Sequence, residues 1–338
     1  MNPAYNCALI LMAAFLIDFF IGDPVYSLHP VRITGSVIYR FDHFLRQNRF
    51  ATITGGIILL CLSTGLIGTG FMLLRFGLSY VHPSLTIIFD IFMLYSCIGS
   101  KDMIVHAQSV THYLKAEELD NARHALQKIV GRNTRILDNH AVARAAAETV
   151  AEGFVDGVLS PIFWYAAGCT AGYLLNNADP SFFGIGGALI FRIVNTLDSM
   201  VGYNNEIYVK FGKAAARFDD ILNWIPARLS IPVLFISAIL CRLDASAGLK
   251  TACKDRRKHA SPNSGHPESF IAGALHLRLG GPVTYPHGTL DKPWMGDGTP
   301  LVSAGHIRAC CRLFTCGGWT TTFILSAIIV VLYRILNL

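Results

Sequence analysis

Long apolar runs alternate with polar stretches along most of this chain. A helix of about 20 apolar residues is long enough to cross the hydrocarbon core of a membrane. A shorter apolar run at 229–243 can enter the membrane but not cross it, so we predict that it enters and leaves on the same face. Six runs are predicted to span the membrane: 6–21, 52–74, 85–99, 155–175, 182–197 and 319–336.

The distribution of Lys and Arg predicts how these helices are oriented. Cytoplasmic segments of membrane proteins are enriched in these cations. The connections 75–84 and 176–181 are short and nearly free of them, so we expect both outside the cell. The cation-bearing polar segments, expected to form a helical cytoplasmic layer, are 22–51, 101–154, 198–228 and 244–318.

Composition agrees with this pattern and excludes several other classes. The 338 residues are 52% hydrophobic and only 15% charged, and the mean hydropathy is +0.44. The net charge of +6 is spread over all polar segments, so a nucleic-acid partner is not expected. Nine Cys without a CxxC pair argue against a zinc site or a disulfide framework. The sequence therefore predicts an all-α, polytopic integral membrane protein forming one domain over 1–338, with residues 1–22 retained as a membrane segment.

The polar block 195–229, between two apolar runs, mixes cations with carboxylates. Lys213 and Arg217 belong to a basic stripe at helical spacing. One interpretation is that these cations extend to the membrane surface. The other is a magnesium–nucleotide site, because magnesium takes one or two carboxylates plus phosphate oxygens while cations hold the remaining phosphate charge. The carboxylates available for it are Asp198, Asp219 and Asp220.

An Ala-rich stretch at 138–156 carries a polar ladder with a spacing of four residues. This spacing places all its members on one face of a helix. The three carboxylates in succession repel one another unless a cation relieves them. Either the ladder is a solvated helix face with an Arg144–Glu148 pair, or it belongs to a binding site. Its members are His140, Arg144, Glu148, Glu152 and Asp156.

Two further stretches carry candidate chemistry. Asp18 lies within the first apolar run, where a carboxylate is costly and by default suggests a function. In the stretch 256–282, His266 beside Glu268 is either a base or ligand pair, or part of a surface turn before a short helix. The phosphate-binding pattern GxxxxGK[ST] does not occur, and GIGG at 184–187 lies in an apolar run, where glycine serves helix packing.

Several motifs, taken in order, resemble the CobD/CbiB family of cobalamin biosynthesis, adenosylcobinamide-phosphate synthase. The similarity runs from about residue 10 to 335. The motifs are GDPVYSLHPV, VGRNT, VDGVLSPIFWY, KHASPNSGHPESFIAGALHLRLGGP and the block VNTLDSMVGYNNEIYVKFGKAAARFDDILNWIPARL.

The resemblance implies a multi-pass enzyme of the cell membrane, with its site facing the cytoplasm, that joins adenosylcobyric acid to aminopropanol or its phosphate. Such an amide ligation would use ATP and Mg²⁺, through an acyl phosphate. Catalytic roles are then expected for Asp198, Asp219 and Asp220, which would hold magnesium or ammonium, and for Glu148 and Glu152. Substrate and phosphate binding are expected at Lys213, Arg217, Asn195, Asn223, Arg132, His29, Asn263 and Glu268.

The chain departs from the family pattern at two positions. Asn133 stands where an acidic residue is expected, and Gly153 stands where Asn is expected after Glu152. The other motifs are intact, so we expect an active enzyme, as a homo-oligomer or in a complex with other membrane enzymes of the corrinoid pathway. Two alternatives stay open: a transporter, since Asp18 and Arg192 lie in apolar runs, and a noncatalytic AmpE-like sensor or scaffold.

Overall fold

The computed structural model describes residues 3–131, 133–203, 206–285, 288–290 and 292–336. Its helices are α1 (Pro3–Ile21), α2 (Pro30–Gln47), α3 (Ile53–Val81), α4 (Pro83–Cys97), α5 (Ser100–Lys115), α6 (Leu119–Gln127), α7 (Asn139–Phe154), α8 (Ser160–Leu174), α9 (Pro180–Val201), α10 (Lys213–Leu222), α11 (Trp224–Leu240), α12 (Ala245–Asp255), α13 (Gly265–Ala274) and α14 (Ala304–Leu336). A π-helical turn, Val155–Leu159, joins α7 to α8. The strands are β1 (Leu279–Gly280), β2 (Val283–Tyr285), β3 (Gly288–Leu290) and β4 (Trp294–Met295).

The predicted all-α, polytopic membrane fold is confirmed. Within the described residues, five helices are long and apolar enough to cross a membrane, and α10 with α11 adds a sixth only if the two count as one broken span. The predicted segment 229–243 therefore belongs to either a broken span or a re-entrant loop. The five are Ala4–Ile21, Ile53–Val81, Pro83–Lys115, Pro180–Val201 and Ala304–Leu336.

The predicted span 155–175 is absent from these five helices. The π turn takes up its first five residues, and α8 has only 15 residues. At 1.5 Å per residue, such a helix is about 22 Å long, which is short of the roughly 30 Å hydrocarbon core. The sequence VDGVL contains no proline, so its composition does not reveal the break.

The chain folds into two compact units, and each is built from separate stretches of sequence. The first unit comprises 1–99, 160–223 and 322–338, and the second comprises 100–159 and 224–321. Nothing in the hydrophobic pattern indicated this division.

In the first unit, glycines allow α8 and α9 to pack closely. A Cβ on Gly168 would lie 2.2 Å from the carbonyl oxygen of Phe183, and one on Gly187 would lie 2.4 Å from that of Trp164. Small residues let helix backbones approach in this way inside membranes. The prediction that GIGG serves helix packing is confirmed for Gly184 and Gly187, whereas a Cβ on Gly186 would meet nothing within 4 Å. Tyr165 is buried on this surface and donates a hydrogen bond to the carbonyl of Cys7, 3.0 Å away, which ties α8 to α1.

In the second unit, α7 is a largely buried helix and α13 is buried along its whole length. After α13 the chain forms two antiparallel strand pairs, β1 with β4 and β2 with β3, which the all-helical pattern did not predict. Gly280 and Gly281 have positive φ angles, +77° and +78°, so the chain can turn sharply after β1. This turn brings β1 next to the polar face of α7.

Candidate functional site

The carboxylates of α7 face the segment 261–280 of their own unit. The Ser264 hydroxyl donates to Glu152 Oε1 over 2.9 Å, and the Gly280 amide donates to Glu148 Oε1 over 2.8 Å. The Arg144 guanidinium stacks over the ring of Trp294, 5.0 Å from its centre. These contacts favour a folded polar site over the alternative of a solvated helix face with an Arg144–Glu148 pair, although Glu152 is exposed. The first part of the ladder belongs to a folded polar site.

The π turn changes the register of the ladder after Glu152. Because α7 ends at Phe154, Asp156 lies in the π turn and not on the α-helical face that carries Glu148 and Glu152. A π turn takes more residues per turn than an α-helix, so a spacing of four no longer keeps side chains in line. The predicted alignment of three carboxylates is corrected to two. Such turns are rare and often occur at functional sites.

The first turn of α13 and the residues before it complete the polar site. Asn263 and Ser264 are both buried, and so are His266 and Glu268, at 4% and 3% exposure. The alternative of a surface turn is therefore wrong for this pair, although the predicted short helix is confirmed as α13. The Nε2 atom of His259 lies 3.7 Å from Glu268 Oε1.

The surroundings of His259 fix the tautomer of its neutral ring. Its Nδ1 accepts a hydrogen bond from the Ser261 amide, 3.0 Å away, so the proton lies on Nε2, which faces Glu268. Burial lowers the pKa of His259 below its usual value, while the negative charges of Glu152 and Glu148 act in the opposite direction. His259 is thus a neutral group at the edge of an acidic cluster. We call Glu148, Glu152, His259 and Glu268 the acidic cluster.

In the first unit, Asp219 is the centre of a second polar group. Asn195 and Asn223 donate to its two oxygens over 3.2 and 2.9 Å. Ser160 in turn donates to Asn223 over 2.5 Å, and Arg192 to Asn195 over 3.2 Å. Asp219 itself is only 8% exposed. The predicted residues Asn195, Asp219 and Asn223 do come together, but they bind one another and connect α8, α9 and α10.

The other candidates of the polar block lie on α9 and α10. Lys213 and Arg217 are exposed on α10, and Arg217 lies 3.7 Å from Asp220. Asp198 lies on α9, and its side chain packs at Gly202. Among the described residues, no group of three or more His, Cys, Asp and Glu is placed to hold a metal ion. The assignment of magnesium to this block stays a prediction.

Two N-terminal candidates are buried in the first unit. His29 is 2% exposed, and its Nε2 lies 2.6 Å from Asp23 Oδ1. Asp18 is fully buried within α1. His29 and Asp23 belong to the same motif, GDPVYSLHP, and their contact links the two ends of this turn. Arg132, predicted to bind substrate, lies outside the described residues.

His259 and the three arginines near it were not among the residues predicted from the sequence. Arg228, Arg256 and Arg257 line a cavity of about 490 Å³ together with His259 and His266. From the sequence, Arg256 and Arg257 were placed only within the cation-bearing segment 244–318. One indication in the sequence is that Arg256 and Arg257 come shortly before the SPNSG turn, where the chain reverses direction towards them.

The chain was compared with known protein families and with individual relatives. The family model described as "CobD/Cbib protein" matches residues 11–314. The chain belongs to the CobD/CbiB family. A cobalamin biosynthesis protein CobD of Desulfotalea psychrophila is 34% identical over 94% of both chains. The CobD of Klebsiella pneumoniae is 37% identical over 89% of this chain and 90% of its own, and the CbiB of Salmonella typhimurium is 34% identical over 94% of both. No solved structure gives a significant match.

The two departures from the CobD/CbiB pattern have local structural explanations. Asn133 Oδ1 accepts a hydrogen bond from the Arg135 amide over 3.0 Å, as a turn residue does. A Cβ on Gly153 would lie 2.6 Å from the Cε atom of Met103, so the missing side chain makes room for α5 against α7. Neither Asn133 nor Gly153 contributes a side-chain contact to the acidic cluster. The family match over 11–314 covers both the acidic cluster and the polar group around Asp219.

Proposed function

We propose that this protein acts in cobalamin biosynthesis as an adenosylcobinamide-phosphate synthase. In this role it would join the carboxylate of adenosylcobyric acid to the amine of aminopropanol or its phosphate, at the expense of ATP. The observation that carries the proposal is the family match over 11–314, which includes every residue of the acidic cluster. The relatives are named cobalamin biosynthesis proteins CobD and CbiB.

The chemistry of the reaction explains why such a cluster is needed. A carboxylate does not react with an amine, so its oxygen first attacks the γ-phosphorus of ATP, giving an acyl phosphate and ADP. The neutral amine then attacks the acyl carbon, phosphate leaves with the C–O bond electrons, and the proton of the amine must go to a base. Carboxylates of the acidic cluster are suited to accept that proton, and cations are suited to hold the phosphates.

Glu148 and Glu152 also fit a magnesium ion better than the carboxylates of the polar block. They lie one turn apart on α7, and magnesium in nucleotide enzymes is usually bound by one or two carboxylates, with phosphate oxygens and water completing its shell. Asp219, in contrast, has both oxygens engaged by amides. When bound, magnesium would neutralise phosphate charge during transfer. Asp198 and Asp220 remain alternative ligands.

One reaction tests the proposal directly. Full-length protein in detergent is incubated with adenosylcobyric acid, aminopropanol phosphate, ATP and magnesium, and the corrinoid is analysed by mass. We expect a product with the mass of the amide, formed only when ATP is present. A corrinoid that keeps its original mass, together with corrinoid uptake into proteoliposomes, would favour the transporter instead.

A further inference from the structure

A cationic cavity lies beside the acidic cluster within the second unit. Its volume of about 490 Å³ is in the range of small-molecule sites. His259 belongs to both, since its ring lines the cavity and faces Glu268. The polar residues lining the cavity are Arg228, Arg256, Arg257, His259, Ser261 and His266.

The arginines of the cavity have no carboxylate partners among the described residues. Arg228 donates to the Trp224 carbonyl and stacks on that ring, 3.9 Å from its centre. Arg256 donates to the Cys253 carbonyl over 2.7 Å. The carboxylate next to them in sequence, Asp255, is bound by Lys258 and by the amide of Gly296. Three like charges therefore converge at the cavity, and no carboxylate among the described residues pairs with them.

His266 adds a second, independent sign of a ligand. Its ring is 4% exposed and lines the cavity, yet its Nδ1 atom has no hydrogen-bond partner in the described part of the chain. Buried polar atoms are rarely left without a partner. Burial lowers the pKa of His266 to about 4, and the charges of the three arginines add to the shift. A ligand with both negative charge and hydrogen-bonding oxygens would satisfy this atom and the arginines together.

We propose that this cavity binds a phosphate group, either of a phosphomonoester or at the end of a polyphosphate. Guanidinium groups match the oxygens of phosphate in geometry and charge, and several of them around one anion are typical of phosphate recognition. The cavity lies next to the acidic cluster, so its link to the ligation reaction rests on the proposed function. The phosphate then belongs either to the amine substrate or to ATP.

Binding of inorganic phosphate tests the site without any reaction. Calorimetry at low ionic strength on the full-length protein in detergent compares wild type with Arg256→Gln/Arg257→Gln. We expect roughly tenfold or greater weakening of phosphate binding, since each lost charged hydrogen bond is worth about one decade or more. The matched control, Lys250→Gln/Arg308→Gln, removes two charges from exposed positions of the same unit and should bind phosphate as wild type does.

A conservative pair of variants separates binding from folding. Arg257 is exposed and makes no hydrogen bond within the described residues, so Arg257→Gln should melt at the wild-type temperature. It should weaken phosphate binding, while Arg257→Lys, which keeps the charge, should restore much of it. Equal phosphate affinities in wild type, Arg257→Gln and the double variant would overturn the proposal.

Two further titrations identify the source of the phosphate. If the cavity takes the amine ester, the double variant loses affinity for aminopropanol phosphate and keeps that for a nonhydrolysable ATP analogue. The reverse result assigns the cavity to the nucleotide. Unchanged binding of both ligands contradicts the site.

The outcome for the site and the outcome for the enzyme can be told apart. A wild-type protein that forms no amide, yet binds phosphate through Arg256 and Arg257, refutes the proposed function and leaves the phosphate site in place. Amide formation by wild type, with phosphate binding unaffected in the variants, refutes the phosphate site alone.

Discussion

The two polar groups of this molecule differ in how far their charges are satisfied from within the protein. In the first unit, both oxygens of Asp219 are bound by Asn195 and Asn223, which are held in turn by Arg192 and Ser160. In the second unit, three arginines and the Nδ1 atom of His266 surround a cavity without a partner anion among the described residues. A closed network, in which the protein satisfies its own polar groups, holds helices together. An open group of like charges, which lacks such partners, is suited to bind a ligand of opposite charge.

Asp219 is therefore a weaker candidate for the active site than Glu148 and Glu152. Asp219 drew attention because it lies in a conspicuous polar block, but its environment is that of a structural connection between helices. Glu148 and Glu152 contact the SPNSG turn and β1, which are parts of the same unit as the cationic cavity. Carboxylates and phosphate-binding cations must lie close together in an ATP-dependent ligase. The second unit brings both types of group together at His259, which lines the cavity and faces Glu268.

The largest effect is expected from removing the charges of Glu148 and Glu152 together. Glu148→Gln/Glu152→Gln keeps an oxygen acceptor for Gly280 and Ser264, so folding should be preserved. Amide formation should fall by about 100-fold or more and need more magnesium, because two charges of the acidic cluster are lost. Rates are measured across a magnesium titration. Glu118→Gln, which also replaces a carboxylate that accepts one hydrogen bond, is the control. An unchanged magnesium dependence in the double variant would remove α7 from the site.

The second effect concerns stability and tests the closed network. Asp219→Ala leaves two buried amides without their acceptor, which should cost about 2–4 kcal/mol. Its melting temperature in detergent should fall clearly below that of Asp220→Ala, since Asp220 is less buried and lies 3.7 Å from an exposed arginine. If Asp219→Ala melts like wild type but forms no amide, Asp219 is catalytic and the comparison fails.

Sequence reasoning was successful where local patterns determine structure. The apolar runs predicted most spans, and the turn residues before 265 predicted α13. The π turn at Val155–Leu159 could not be predicted, because VDGVL is compatible with a regular helix. The strand pairs were missed because β1 and β4 have only two residues each.

The site was predicted in part for a similar reason. Glu148, Glu152, Asn263 and Glu268 were selected from spacing and from motifs, but their grouping depends on how α7 meets α13 and β1. Whether a carboxylate is satisfied or available is a property of its tertiary neighbours. Asp219 and Glu152 are equally polar in the sequence, and they differ only in what surrounds them.

A pH dependence is expected from His266, which faces Arg228, Arg256 and Arg257 in the cavity. Its pKa of about 4 lies below the value of about 6.5 in an unfolded chain, so the unfolded state binds the proton more readily. Its contribution to stability is thus complete above about pH 6.5 and is lost as the pH falls toward 4, by up to about 3 kcal/mol. Melting temperatures of wild type should fall over this window, and those of His266→Gln should fall less. Parallel curves for the two proteins would show that the pKa of His266 does not differ between the folded and unfolded states.

The smallest effect is expected at the cations of the polar block. Lys213 and Arg217 are exposed on α10, and the ion pair between Arg217 and Asp220 is 3.7 Å long. Exposed pairs of this kind are worth about 0–1 kcal/mol. If phosphate is bound in the second unit, Lys213→Gln/Arg217→Gln should change the KM for ATP and for the amine by no more than about twofold. Both constants are measured beside Arg256→Gln/Arg257→Gln. A tenfold rise in either KM for the α10 variant, with the cavity variant unaffected, would return phosphate binding to the polar block and reverse the distinction drawn between the two groups.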